Sequence, residues 1–323
     1  MKTHFKYLTL LAAFAMAPLA IAQSWPAKPV RFLTPYPPGS GTDTYLRALG
    51  NELAKAWGQP VVVDNRPGAS TIISNDACAK SPADGYTMCM VDRTLSILPH
   101  LYRKLPFEPQ RDFTPIALMA NLIQALEINP GVPAASFKDL IAYAKANPGK
   151  LNYSTPGEGT PPHLMMEWIK QKYGVNIVHV PFKSPPEIVQ TLVSGQIQVS
   201  IFGLINMLGP IRGGKVKALA VSGSSRSPLL PDVPTFAEAG ADGFDDRLWF
   251  ALAGPAGLPK NVVDRASGDV LRIIAQPVFR KERMIDQGWE PIGTGPESLA
   301  SLIKSDRRVA GEMVRISGAK VQD

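Results

Sequence analysis

Two stretches of this chain have the residue types and spacing to hold an anion. The first is Thr34-Pro35-Tyr36-Pro37-Pro38-Gly39-Ser40-Gly41-Thr42-Asp43, and the second is Ser154-Thr155-Pro156-Gly157-Glu158-Gly159-Thr160-Pro161-Pro162. Each follows an apolar run that reads as a strand and precedes a helical pattern. Backbone N–H groups in such a turn have no helical acceptor, so they are available to an anionic ligand. In the second stretch the hydroxyls of Ser154, Thr155 and Thr160 add donors. Taken singly, each stretch reads equally well as a tight turn that caps a helix. Facing each other across a cleft, they would grip one small carboxylate from two sides through charge-assisted bonds. The candidate contacts are Tyr36, Pro38, Gly39, Ser40, Gly41 and Thr42 in the first stretch, and Ser154, Thr155, Gly157 and Thr160 in the second. His163, in the first turn of the helix that follows, is a further candidate.

Catalytic chemistry has little to stand on. Beyond the first residues the chain has three histidines, His100, His163 and His179, and none is spaced as a metal pair. H-E-x-x-H, C-x-x-C, G-x-S-x-G, G-x-x-x-x-G-K-[ST] and G-x-G-x-x-G are all missing from the sequence. The expectation is a binding protein without catalytic residues, metal or cofactor. A hydrolase or isomerase would need a nucleophile–base pair that the sequence does not offer.

The elements that must position the two turns alternate in type. Residues 30–33 read as a strand leading to a helix over 42–57. Residues 61–63 lead through Arg66-Pro67-Gly68-Ala69 to a helix near 72–79, and 86–91 form the next strand. This rhythm predicts a parallel, doubly wound sheet, with ligands at the carboxyl ends of its strands. The apolar run 116–128 is interrupted only by Asn121, Gln124 and Glu127, and reads as one long strand crossing between domains. A second α/β set follows: a helix from Ser136 to Asn147, strands at 151–154, 177–180, 199–202 and 216–221, and a helix over 161–172. Ser184-Pro185-Pro186-Glu187 reads as a capping box with proline at the first helical position. Residues 248–253 would cross back, and helices near 262–274 and 299–316 would rejoin the first unit. Two α/β lobes joined by two extended crossings form a hinged clamp. The expected boundaries are 23–122 with 248–323 for lobe 1, and 123–247 for lobe 2.

The amino terminus is a leader over residues 1–22. Lys2 and Lys6 precede a short apolar stretch, and Ala20-Ile21-Ala22 is an A-x-A-type cleavage site, so the exported chain should begin at Gln23. Losing the two lysines lowers the formal charge of +7 by two. The remaining basic residues are scattered, which argues against nucleic acid and gives a mild field favouring anionic small ligands. Cys78 and Cys89 are the only cysteines. In an exported protein they suggest one disulfide, two buried free thiols being the alternative.

The chain resembles the periplasmic solute receptors of tripartite tricarboxylate transporters, the Bug or TctC family, over nearly its whole length. The matching motifs include Trp25-Pro26-Ala27-Lys28-Pro29-Val30, Pro35-Tyr36-Pro37-Pro38-Gly39 with Thr42-Asp43, and Asp64-Asn65-Arg66-Pro67-Gly68-Ala69. They continue through Pro82-Ala83-Asp84-Gly85-Tyr86-Thr87, Asn147-Pro148-Gly149-Lys150-Leu151-Asn152-Tyr153, His179-Val180-Pro181-Phe182-Lys183 and Leu230-Pro231-Asp232-Val233-Pro234-Thr235. The resemblance implies an α/β, two-lobed periplasmic binding fold of type II-like form, with two doubly wound mixed sheets joined by two crossing strands. It also implies a periplasmic, monomeric protein that delivers a small carboxylate to membrane transporter subunits, with the carboxylate held by 36–42 and 154–160. A sensing module that presents the same ligand to a signalling partner is the alternative. Ala69 and Ser70, at the turn into the second helix, join the candidate contacts. Departures from the family pattern shape the expected ligand. Arg93 and Thr94 follow the strand ending near 91, and Arg93 would pair with a second carboxylate, a surface or hinge ion pair with a nearby Asp being the alternative. Gly203 and Leu204 stand where an acid suited to an ammonium is common, which disfavours an amino acid. Tyr36, Phe182 and Leu204 would supply apolar surface. The expected ligand is a dicarboxylate, aromatic ones such as terephthalate included.

Overall fold

The computed structural model describes residues 25–182, 184–241, 243, 247–319 and 321–322. The leader and its cleavage site lie outside the described residues.

The first lobe begins with β1 (Val30–Thr34), which passes through the Pro/Gly turn into α1 (Gly41–Trp57). Tyr45, Leu46, Leu49, Leu53 and Trp57 recur on one face of α1 and are buried, and Gly58 ends the helix in the left-handed region at φ 67°. Next come β2 (Val61–Asn65), a 3₁₀ turn at Ala69–Thr71, α2 (Ile72–Ala79), β3 (Thr87–Asp92), α3 (Thr94–Leu101) and β4 (Phe113–Leu122). The second lobe holds β5 (Gln124–Ile128), α4 (Phe137–Ala146), β6 (Leu151–Thr155), α5 (Pro161–Tyr173), β7 (Ile177–Pro181), α6 (Pro185–Ser194), β8 (Val199–Gly203), α7 (Leu204–Arg212) and β9 (Lys217–Val221). The chain then returns through β10 (Trp249–Pro255), α8 (Lys260–Ala275), β11 (Trp289–Thr294) and α9 (Pro296–Ser317).

The strands form two mixed sheets, ordered β11-β4-β10-β3-β1-β2 and β7-β6-β8-β5-β9. In the first, β1 is parallel to β2 and β3, while β10 runs antiparallel to β3 and β4. In the second, β6 is parallel to β7 and β8, while β5 runs antiparallel to β8 and β9. The run 116–128 is therefore not one strand. It breaks at Ile123, whose N–H donates to the Gly288 carbonyl and whose carbonyl accepts from Leu204. Both backbone groups of Ile123 thus leave the ladders, and the chain changes sheets within one residue.

Ser184 does cap α6, but its hydroxyl accepts no helix N–H. The Glu187 N–H bonds the Ser184 carbonyl instead, so the expected capping box does not form. Cys78 and Cys89 are joined by a disulfide across α2 and β3, with Cα atoms 6.1 Å apart, which overturns the free-thiol alternative. α9 ties the lobes together. Its Leu299 and Ile303 pack in a first-lobe cluster, while Ala310, Met313 and Val314 pack with Leu164, Met165 and Ile201 of the second.

Candidate functional site

A cleft of about 660 Å³ lies between the lobes. Tyr36, Ser40, Gly41, Thr42, Ala69, Ser70 and Thr94 line it from the first lobe, and Thr160 and Gly203 from the second. No charged side chain occurs among the described lining residues.

The first turn is organised by a reciprocal cap. The Ser40 hydroxyl accepts from the Asp43 N–H at 3.2 Å, and the Asp43 carboxylate accepts from the Gly39 N–H at 2.9 Å. Arg47 and Asn65 also donate to Asp43. Burial pushes the Asp43 carboxyl up, but the bonds from Arg47, Asn65 and Gly39 outweigh it and hold the group below its usual range. The cap uses the Gly39 N–H, and Pro38 and Gly39 do not line the cleft. Gly39 instead borders a separate groove beside Arg47 and Phe279. The N–H groups of Gly41 and Thr42, in the first turn of α1, have no helical acceptor and stand on the cleft wall. Tyr36 packs its ring on Phe250 at 5.6 Å and donates its hydroxyl to Asp92 at 2.6 Å. Burial, followed by the Asp92 charge, pushes the Tyr36 hydroxyl well up, so it stays protonated.

The second turn behaves differently from the expectation. Ser154 and Thr155 are wholly buried and do not reach the cleft. Thr155 Oγ1 bonds His179 Nε2 at 2.7 Å. The Gly157 N–H donates back to Thr155, and the Gly159 N–H donates to His163 Nδ1 at 3.2 Å. Pro161 and Pro162, which follow Thr160, have no N–H at all. The glycine N–H groups and the Thr155 and Thr160 hydroxyls are thus spent on the turn's own shape, and the Ser154 hydroxyl is buried without a partner. The turn gives the cleft Pro156, Thr160, Pro161 and Pro162, a wall that is mostly apolar. His163 lies behind that wall, its ring 4.4 Å from His179, and burial lowers the pKa of both.

Three further expectations are corrected. Arg93 is wholly buried. Its guanidinium pairs with Asp306 at 3.1 Å and donates to the Arg247 carbonyl at 2.7 Å, so it holds α9 and the returning crossing instead of facing a ligand. Phe182 packs beside Ile188 and Leu192 away from the cleft, and Leu204 is buried with Ile123 and Val221.

Other residues take the vacated roles. α7 starts at the cleft with Gly203 as an uncapped N-terminus, and Ile205 and Asn206 line the wall. A Cβ placed on Gly41 would lie 3.5 Å from Ile205, so the starts of α1 and α7 meet across the lobes. Thr71, Leu122, Gln124, Phe202, Leu248 and Phe250 also line it. Gln124 carried a signal in the sequence, being one of the few polar residues within an apolar run. Asn206 carried none, because no proline or hydroxyl cap announces α7.

The model of the tripartite tricarboxylate transporter family receptor matches residues 45–318. The chain is 33% identical to protein BugT of Bordetella pertussis, covering 97% of this chain and 96% of that one. Its structure is similar to that of R. palustris Rpa4515 with adipate, at TM-score 0.84 and 30% identity, covering 92% of this chain and 99% of that one. It is also similar to MatC from Rhodopseudomonas palustris with bound malate, at TM-score 0.80 and 29% identity, covering 90% and 100%.

Proposed function

The chain belongs to the tripartite tricarboxylate transporter receptor family, of solute-binding proteins and not of enzymes, and on that premise we propose that it captures a small organic carboxylate between its lobes and delivers it to transporter subunits in the membrane. The observation that carries this reading is the meeting of α1 and α7 across the cleft. Two sets of first-turn N–H groups flank one space, and anions are favoured there by both the free donors and the helix dipoles. We place the receptor in the periplasm as a monomer, released from its leader after Ala22. Among the described residues, no helix is long and apolar enough to cross a membrane.

Similar proteins hold adipate and malate, both dicarboxylates, so that class stays within the proposal. Its expected anchor, Arg93, does not. With no acid among the described lining residues, an ammonium has no partner, which keeps amino acids disfavoured. Thermal shift of the purified chain with adipate, malate, benzoate and terephthalate tests the reading. A bound carboxylate at a hundred times its Kd stabilises by about 2.7 kcal/mol. Stabilisation by the corresponding uncharged amides, with none from the acids, would overturn it.

A further inference from the structure

Gln124 is the first residue of β5, one step past the break at Ile123, and lies opposite Gly203 in the sheet. It lines the cleft, yet is only 1% exposed, and its side-chain oxygen is buried without a hydrogen-bond partner. Its backbone is pinned on both sides. The Gln124 N–H donates to the Ser222 hydroxyl at 2.8 Å, and the Ser222 N–H donates to the Gln124 carbonyl at 2.8 Å. The amide therefore cannot turn to solvent by moving its own strand. A Cβ on Gly203 would stand 3.1 Å from Asn206 Nδ2 and 3.4 Å from Leu122, both of which line the cleft.

A buried carboxamide oxygen left unpaired destabilises the fold that carries it, because its desolvation is not offset. At the floor of a ligand cleft, the ligand can supply the partner. The chemistry of the amide says which kind. It always presents one donor end and one acceptor end, and exchanging the two by rotation does not change that. An ionised carboxylate only accepts, so it can meet the NH₂ end and never the oxygen. An O–H or N–H on the ligand can meet the oxygen.

We propose that Gln124 is the specificity-determining residue of the cleft, reading a neutral hydrogen-bond donor, above all a hydroxyl, on the body of a carboxylate ligand. This rests on the carboxylate reading above and narrows it. The carboxylate sits at the starts of α1 and α7, and the hydroxyl reaches the floor at Gln124. The apolar flanks of Phe202 and Phe250 hold the carbon skeleton between them.

Three pairs of probes differ by a single hydroxyl: malate and succinate, lactate and propionate, 4-hydroxybenzoate and benzoate. Calorimetry on the exported chain should show the hydroxy acid binding at least about tenfold tighter in the pair whose skeleton fits, as a lost hydrogen bond to a buried group would give. Gln124→Met keeps the volume and removes the polar atoms. It should shrink that advantage to less than about threefold. In the ligand-free protein it should also raise Tm, which separates loss of recognition from loss of folding. An advantage that survives in Gln124→Met, a plain acid that binds tighter throughout, or a variant that melts well below the parent would each overturn the assignment of Gln124 while leaving the carboxylate reading intact. Failure of all six probes to bind would overturn the carboxylate reading, and this inference with it.

Discussion

Arg93 and Glu127 show how a charge in the sequence can be a matter of stability instead of recognition. Arg93 and Asp306 are both fully buried, and Trp249 donates to the second Asp306 oxygen at 2.8 Å. Removing one member of such a pair strands the other charge, at a cost of about 3–5 kcal/mol. Arg93→Ala should therefore lower stability by that order in denaturant titrations and leave the ratio of dicarboxylate to monocarboxylate affinity unchanged. A selective loss of dicarboxylates would return Arg93 to the ligand. Glu127 is buried in β5, and neither of its oxygens has a hydrogen-bond partner. Burial alone raises its pKa well above the ordinary 4.5. Because the folded value lies above the unfolded one, this group's contribution is fully present below about pH 4.5 and is lost as pH rises towards the folded value. Glu127→Gln should abolish that decline and be more stable at pH 7, by about 1.4 kcal/mol for each unit of the raised pKa that lies below pH 7. His179 has the opposite sign. Burial, with help from His163, lowers it to about 4. Its contribution is present above about pH 6.5 and lost as pH falls through the folded value. His179→Gln should remove that acid limb from a plot of Tm against pH; a limb of the same steepness in the variant would clear His179 of it.

Elements read well from sequence where one signal dominated, and poorly where tertiary contacts decided. The expected strand and helix at 30–33 and 42–57 became β1 and α1, because period, Ser40 cap and Gly58 stop agree. The second turn misleads because its glycines announce donors, while only the fold shows that Thr155 and His163 consume them. α7 was missed for the reverse reason: its start is written Phe202-Gly203-Leu204-Ile205, without a cap. The break at Ile123 depends on Gly288, remote in sequence, and no local pattern encodes it. Ala69, Ser70 and Thr71 form a further case. All three have positive φ, at 45°, 47° and 76°, where side chains cost of order 1 kcal/mol or more each. A strained turn held at the cleft rim fits a role in shaping the site. Ser70→Gly should raise stability by about 1 kcal/mol and weaken carboxylate binding through a looser rim. A thermal melt and a titration on the same variant decide it, and lower stability would mean that the Ser70 side chain supports the turn.

At the scale of the whole molecule, α9 packs against both lobes. The first crossing is short, Ile123 alone separating β4 from β5, while the return from β9 to β10 takes residues 222–248. Such joints would let the lobes swing widely, but α9 is anchored at Leu299 and Ile303 in one lobe and at Ala310, Met313 and Val314 in the other. The Arg93 pair fixes the same helix to the returning crossing, through Asp306 on one side and the Arg247 carbonyl on the other. A continuous helix packed on both sides restricts opening to rotation about itself, which keeps α1 and α7 aligned as the cleft closes. Closure on a bound carboxylate should then appear as a small decrease in radius of gyration. Arg308, exposed between the two anchors, is the place to test the restraint. Arg308→Gly weakens the helix interior by about 1 kcal/mol without touching either core. The ligand-free variant should scatter as a more open molecule than the parent, bind carboxylate more weakly, and match the parent's profile once saturated. If the two ligand-free profiles coincide, α9 is a passenger and the crossings alone set the opening.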